Sequence, residues 1–105
     1  MTEEENYIIE VSDKEIRCHR PDGTLDSLSW KNLKRVEVVV TDNDPLPATF
    51  FALHGPSDTL VVPEGAMNVD DLSERLFELE GFDADTFVDS MSAQSAKTFL
   101  CWNKK

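Results

Sequence analysis

The period of the hydrophobic pattern changes once along this chain, and that change confines it to few folds. Residues 7–62 alternate apolar and polar side chains, with Gly and Pro at the breaks. Residues 68–91 move to helical spacing, and a short apolar run, Phe99 to Trp102, closes the chain. Alternation sends successive side chains to opposite faces of a strand, whereas spacings of three and four stack them on one side of a helix. Strands followed by helices predict an α+β domain. The expected form is a strongly bent antiparallel β-sheet of about six or seven strands, capped by one main C-terminal helix plus a short second helix.

Within the strand block, Tyr7, Ile9 and Val11 share a face, and Ile16 and Cys18 repeat it while Arg17 and His19 point out. Pro21-Asp22-Gly23-Thr24 is a turn, because Pro presets φ and Gly accepts positive φ. Leu28 and Trp30 follow, and then residues 31–34 as a tight helical turn. Val36, Val38 and Val40 line one face of the clearest strand. Thr41 to Pro47 is a loop. Residues 49–54 are apolar on both faces, which predicts a central strand, and Leu60 and Val62 belong to the sixth, ended by Pro63.

Both helix starts carry signals. Asn68 is the expected cap of the first helix, with Met67 stapled to Leu72, a buried stripe of Val69, Leu72, Leu76 and Leu79, and Gly81 at the end. Asp83 is the expected cap of the second helix, near 84–91, with Phe82 stapled to Phe87 and Met91 continuing the apolar face. Leu33, Leu53, Phe51, Phe99 and Cys101 complete the expected core.

A chain of 105 residues is expected to form one domain over 7–105, after a flexible acidic N-terminus at 1–6. The start lacks the basic and apolar regions of a secretory signal, and no run suits a membrane span, so a cytoplasmic setting with reduced thiols is expected. Whether Cys18 and Cys101 lie close enough to bridge is open at this level. The net charge is −11, and it is unevenly placed. Residues 36–96 hold thirteen acids and Arg75 as their one base, while six bases fall within residues 14–35. Such a molecule is repelled by nucleic acid and by anionic membranes.

Chemistry-bearing constellations fail on spacing. Cys18 and His19 are adjacent and so face opposite ways on a strand, which does not suit zinc. Asp42-Asn43-Asp44 opens like a calcium loop, but Pro47 stands where Gly is required and Leu53 where a bidentate Glu is required. Asp83-Ala84-Asp85-Thr86 has the form of a phosphatase double-aspartate motif, yet it follows Gly81 rather than a buried strand. Nucleophilic catalysis needs a base beside Ser or Cys, and His19 and His54 are not so placed in sequence. No enzyme activity, metal or cofactor is therefore expected.

Arg20-Pro21-Asp22-Gly23, Ser29-Trp30-x-x-Leu33-x-x-Val36, Thr41-Asp42 before a Pro-containing loop, Val62-Pro63, Gly81-Phe82-Asp83 and Phe99-Leu100-Cys101-Trp102 together resemble a family of small uncharacterised bacterial proteins with a pleckstrin-homology-like fold. The resemblance implies that superfold and a bacterial cytosolic setting. It carries no activity, and superfold likeness does not assign one. The second helix and the last strand depart from the standard pattern, and Lys14, Arg17 and Arg20 do not match the spacing of its lipid-binding members.

The functional expectation is a non-enzymatic protein-interaction module, an adaptor or an inhibitor/immunity-type protein, whose acidic face docks on a basic protein partner. Asp70, Asp71, Glu74 and Glu78 are its candidate contacts. The alternative is an anion- or phospholipid-headgroup-binding module using Lys14, Arg17 and Arg20. A third class, an enzyme using Cys18 or Cys101, requires a thiol of depressed pKa. Exposed strand edges also leave room for a homodimer or for peptide addition.

Overall fold

The polar–apolar alternation folds into seven strands in two antiparallel sheets. The computed structural model describes residues 7–41, 48–93 and 95–104. The N-terminal segment 1–6, the acidic loop 42–47 and its calcium-like triplet therefore lie outside the described residues. The strands are β1 (Ile8–Val11), β2 (Glu15–His19), β3 (Leu25–Ser29), β4 (Arg35–Thr41), β5 (Ala48–His54), β6 (Thr59–Pro63) and β7 (Lys97–Asn103), with helices α1 (Val69–Phe77) and α2 (Ala84–Met91) between β6 and β7. Sheet A has the order β1-β2-β3, and sheet B the order β6-β5-β4-β7. The expected single bent sheet is thus divided. A short 3-10 helix, Trp30–Asn32, sits at the division, with the Ser29 hydroxyl accepting from the Asn32 N–H.

Turn chemistry sets the registers. In the β2–β3 hairpin, Gly23 N–H donates to Arg20 C=O (3.1 Å), Arg20 N–H donates to Thr24 C=O (2.9 Å), and Gly23 takes φ +89°. This is a three-residue loop closed by a left-handed glycine. Asp22 Oδ1 accepts from Thr24 N–H (3.0 Å) and Oγ1–H (2.7 Å), which holds its carboxyl below the usual range. Gly55 begins the β5–β6 turn, where sheet B passes closest to Leu28 of sheet A. A Cβ at position 55 would stand 2.8 Å from Leu28 Cδ1.

The core lies between the sheets and under both helices. Ile9, Ile16, Cys18 and Leu28 from sheet A meet Val36, Val38, Phe51, Leu53, Leu60, Val62 and Cys101 from sheet B, with Leu72 and Leu76 of α1 and Phe87 of α2. β5 is central, as its two apolar faces predict: Phe51 and Leu53 point inward, while Ala52, also buried, faces outward among larger neighbours. The radius of gyration, 13.2 Å, is the value of about 13 Å expected of a close-packed chain of this length.

Four details of the expected helices change. Asn68 adopts the left-handed region at φ 66°, its side chain makes no cap, and its amide donates to Ile9 C=O (3.3 Å). Met67 forms a short parallel bridge with β1: Ile9 N–H donates to Met67 C=O (2.9 Å) and Met67 N–H to Tyr7 C=O (2.7 Å). The main chain there is recruited to cover the bare edge of β1, so the Met67 side chain is 56% exposed and no staple forms. Met91 is exposed as well, since α2 turns Phe87 and Ser90 inward. Gly81 (φ +86°) closes the turn Leu79–Phe82 beyond the helix, whose last residue is Phe77.

The α2 start follows expectation. The Asp83 carboxylate accepts from Thr86 N–H (3.0 Å) and Oγ1–H (2.7 Å), which lowers its pKa, and Phe82 and Phe87 lie 6.1 Å apart. A β-bulge seats this end of the molecule. Val36 opposes Trp102 and Glu37 opposes Leu100, so Cys101 is the extra residue. Its carbonyl is free to accept from Asp83 N–H (2.7 Å), and Trp102 Nε1–H donates to Glu80 C=O (2.9 Å).

Candidate functional site

Two charged regions of opposite sign stand out on the surface. The first is the outer face of α1. Leu72 and Leu76 are buried, so Asp70 and Glu74, one turn apart, lie on the opposite side with Glu78 and Asp71 beside them, and all four are exposed. Phe77, one turn beyond Glu74 on the same face, is 48% exposed. Its ring meets Phe82 (5.3 Å) and Phe87 (5.1 Å) edge to face, which fixes it at the end of the acidic row. Val88 and Met91 of α2, both more than half exposed, extend the apolar surface next to Phe87. Asp70 and Asp71 also favour the positive N-terminal end of α1, so part of this acidity serves the helix itself.

Arg75, the base inside this acidic stretch, is turned away from Asp70 and Glu74. Its Nη1–H donates to Asp13 Oδ1 (3.2 Å), and its guanidinium sits 5.1 Å from the centre of the Trp30 ring, while Glu78 is reached only at 4.0 Å. The acidic row therefore keeps its charge, and α1 is tied to the β1–β2 turn.

The three expected anion-binding cations do not gather at one place. Lys14 lies in the β1–β2 turn, Arg17 in mid-strand and Arg20 beyond the end of β2, about 10 Å of strand separating each from the next. Arg17 pairs with Glu15 (2.9 Å) and Arg20 with Asp26, while His19 meets Glu10 across the hairpin. The structure instead brings Lys14 to a different set. Trp30 N–H donates to Lys14 C=O (3.0 Å), Lys104 N–H donates to Lys34 C=O (2.8 Å), and Lys104 Nζ donates to Lys31 C=O (3.0 Å). These bonds link Lys14 to Trp30 and Lys104 to both Lys31 and Lys34, and among the described residues none of the four ammonium groups has a carboxylate within ion-pair distance. The sequence signal for this second region was Lys31 and Lys34 flanking the turn after Trp30. Lys104 was not legible as a member, because 73 residues separate it from Lys31.

No family model matches this chain, and no curated protein or solved structure is found similar to it. The site therefore has to be read from its own geometry.

The other reactive groups lie in the core and on the outer face of sheet B. Cys18 and Cys101 are free and buried; burial pushes both thiols up, Cys101 to about 11 with help from the Asp83 charge. A thiol so placed holds its proton at neutral pH and is a poor nucleophile. His54 links Glu37 Oε1 (2.6 Å) and Thr59 Oγ1 (3.1 Å) on the outer face of sheet B. Hydroxyl, imidazole and carboxylate follow in catalytic order; His54 and Thr59 are directly opposite in register, and Glu37, opposite Ala52, reaches His54 on the diagonal. Among the described residues no group of three or more His, Cys, Asp or Glu side chains could hold a metal ion, and no helix is long and apolar enough to cross a membrane.

Proposed function

We propose that the protein is a non-enzymatic interaction module whose α1 shoulder docks a protein partner bearing a basic surface. One observation carries the reading: Asp70, Asp71, Glu74 and Glu78 line the exposed side of α1, which ends at an exposed, edge-fixed Phe77, while Arg75 is drawn away to Asp13 and Trp30. An aromatic anchor beside a charged border is usual anatomy of a protein interface. The carboxylates supply steering and partner choice, and Phe77 with the neighbouring Met91 and Val88 supplies apolar contact. The alternative centred on Lys14, Arg17 and Arg20 is less favoured, since two of its cations are already held by carboxylates. The reading keeps the pleckstrin-homology-like superfold as part of the proposal, supported by seven strands in two sheets with helices packed against them.

The test is quantitative capture from the native host at low and high salt with three baits: the wild type, a D70N/D71N/E74Q/E78Q variant, and Phe77→Ser. A stoichiometric partner with a basic surface that is lost at high salt, and lost with both variants at low salt, is the expected result. A partner retained by the neutralised variant, or no salt-sensitive partner at all, overturns the reading.

A further inference from the structure

The second charged region is a ligand site of a different kind. A cavity of about 370 Å³ opens at the end of sheet A, lined by Asp13, Lys14, Ser29, Trp30 and Lys31. That volume suits a small molecule. Its walls are chiefly carbon, the kind of surface that an indole and lysine stems supply.

Each lining group has a defined capacity. Trp30 Nε1–H is committed to Ser12 C=O (2.8 Å) and the Arg75 guanidinium lies 5.1 Å from the ring centre, so the ring is locked in place and offers the cavity carbon surface rather than a donor. The Ser29 hydroxyl oxygen accepts from Asn32 N–H, which leaves its proton to donate. Asp13, the cavity's one carboxylate, is engaged by Arg75 (3.2 Å). Lys14 and Lys31 have no carboxylate partner among the described residues, and Lys104 Nζ donates to the Lys31 carbonyl. On a molecule of net charge −11, this cavity is bordered by two lysines without a carboxylate partner among the described residues, a local excess of positive charge. An anion relieves it. A bare inorganic anion would leave the indole and the carbon walls unused, whereas a flat apolar body bearing one carboxylate would use both.

We propose that this cavity binds a small aromatic carboxylate, its ring stacked against Trp30 and its carboxylate held by Lys14, Lys31 and the Ser29 hydroxyl. The site has the opposite charge to the acidic face of α1 and abuts that helix through Arg75, which binds Asp13 and lies by Trp30.

The test is a titration of the full chain with 2-naphthoate, followed by amide and indole NMR shifts. Three controls accompany it: 2-naphthalenemethanol, which lacks the charge; cyclohexanecarboxylate, which lacks the ring; and inorganic phosphate. The expected result is saturable movement of the Trp30 indole and of the Lys14 and Lys31 amides with naphthoate, at least tenfold weaker binding of each control, and an unmoved Trp102 indole. Lys14→Ser with Lys31→Ser, two exposed positions that leave the core intact, should weaken naphthoate at least tenfold, and Trp30→Leu should abolish saturation. Equal affinity in the double variant, equal movement of Trp102, tighter binding of phosphate than of naphthoate, or no saturation would each overturn the proposal.

Discussion

The α1 shoulder and the lysine end are both exposed, both charged and both carried on short elements, yet they are assembled in opposite ways. On the shoulder, four carboxylates share a face because helical spacing puts them there, and the local base leaves for Asp13 and Trp30. At the lysine end, four lysines come from the β1–β2 turn, the 3-10 helix, the residues just after it and the C-terminal tail, linked by bonds from Trp30 N–H to Lys14 C=O, from Lys104 N–H to Lys34 C=O and from Lys104 Nζ to Lys31 C=O. Sheet A shows what ordinary surface charge looks like here: Glu15 with Arg17 and Glu10 with His19 on its outer face, and Asp26 with Arg20 where β2 ends. Paired charges cancel locally and contribute little. Unpaired charges of one sign project a field over about 8 Å at physiological ionic strength. Sorting of charge, more than net charge, separates surface that keeps the chain soluble from surface that selects what approaches it.

The largest test of this contrast removes the seat of each region. Leu72 lies under the shoulder and Leu33 under the lysine end, both 0% exposed. Leu72→Ala and Leu33→Ala should each cost about 2–5 kcal/mol, seen as a lower urea midpoint at unchanged slope. A loss below about 1 kcal/mol in either would mean that its region is not rigidly anchored. Next comes Gly55→Ala, where an added Cβ meets Leu28 Cδ1 at 2.8 Å and approaches Asn32 O at 3.6 Å. Overpacking there should cost about 1–3 kcal/mol by thermal unfolding, and an unchanged melting temperature would show that Leu28 yields freely.

Smaller effects probe the charges themselves. Arg75→Ala cuts the tie between the two regions and should cost about 0.5–1 kcal/mol, with a change in Trp30 fluorescence in a Trp102→Phe background. An unaltered emission would mean that the guanidinium does not rest on that ring in solution. Arg17→Ala breaks an exposed pair within the sheet A ladder and should stay within about 0.5 kcal/mol of wild type. A larger loss in urea titration would make the ladder a stability element and weaken the distinction drawn between paired and unpaired charge.

Local signals in the chain were sufficient for much of this. The alternation of Val36, Val38 and Val40 fixed an inward face, the apolar stretch 49–54 a central strand, Pro21-Asp22-Gly23 a hairpin, and Asp83 with Thr86 a helix start. Each depends on residues within a few positions of one another, so the physics that sets it is written contiguously. The acidic row of α1 is legible for the same reason, since helical spacing alone puts Asp70, Glu74 and Glu78 on one side.

What the tertiary structure decided depends on partners distant in sequence. Asn68 and Met67 read as a cap and staple, but the edge of β1 had backbone groups to satisfy and took the main chain at Met67 for that purpose. Arg75 read as the base of an acidic helix, but Asp13 and Trp30 lay within its reach. Lys14 read as a neighbour of Arg17 and Arg20, but strand geometry spaced those three out and chain closure set Lys104 beside Lys31 and Lys34. Periodicity fixes which side of an element a residue occupies. Which other element faces that side is settled only when the sheets and helices pack, because unmet hydrogen bonds and charges are satisfied by whatever the fold brings within a few ångströms.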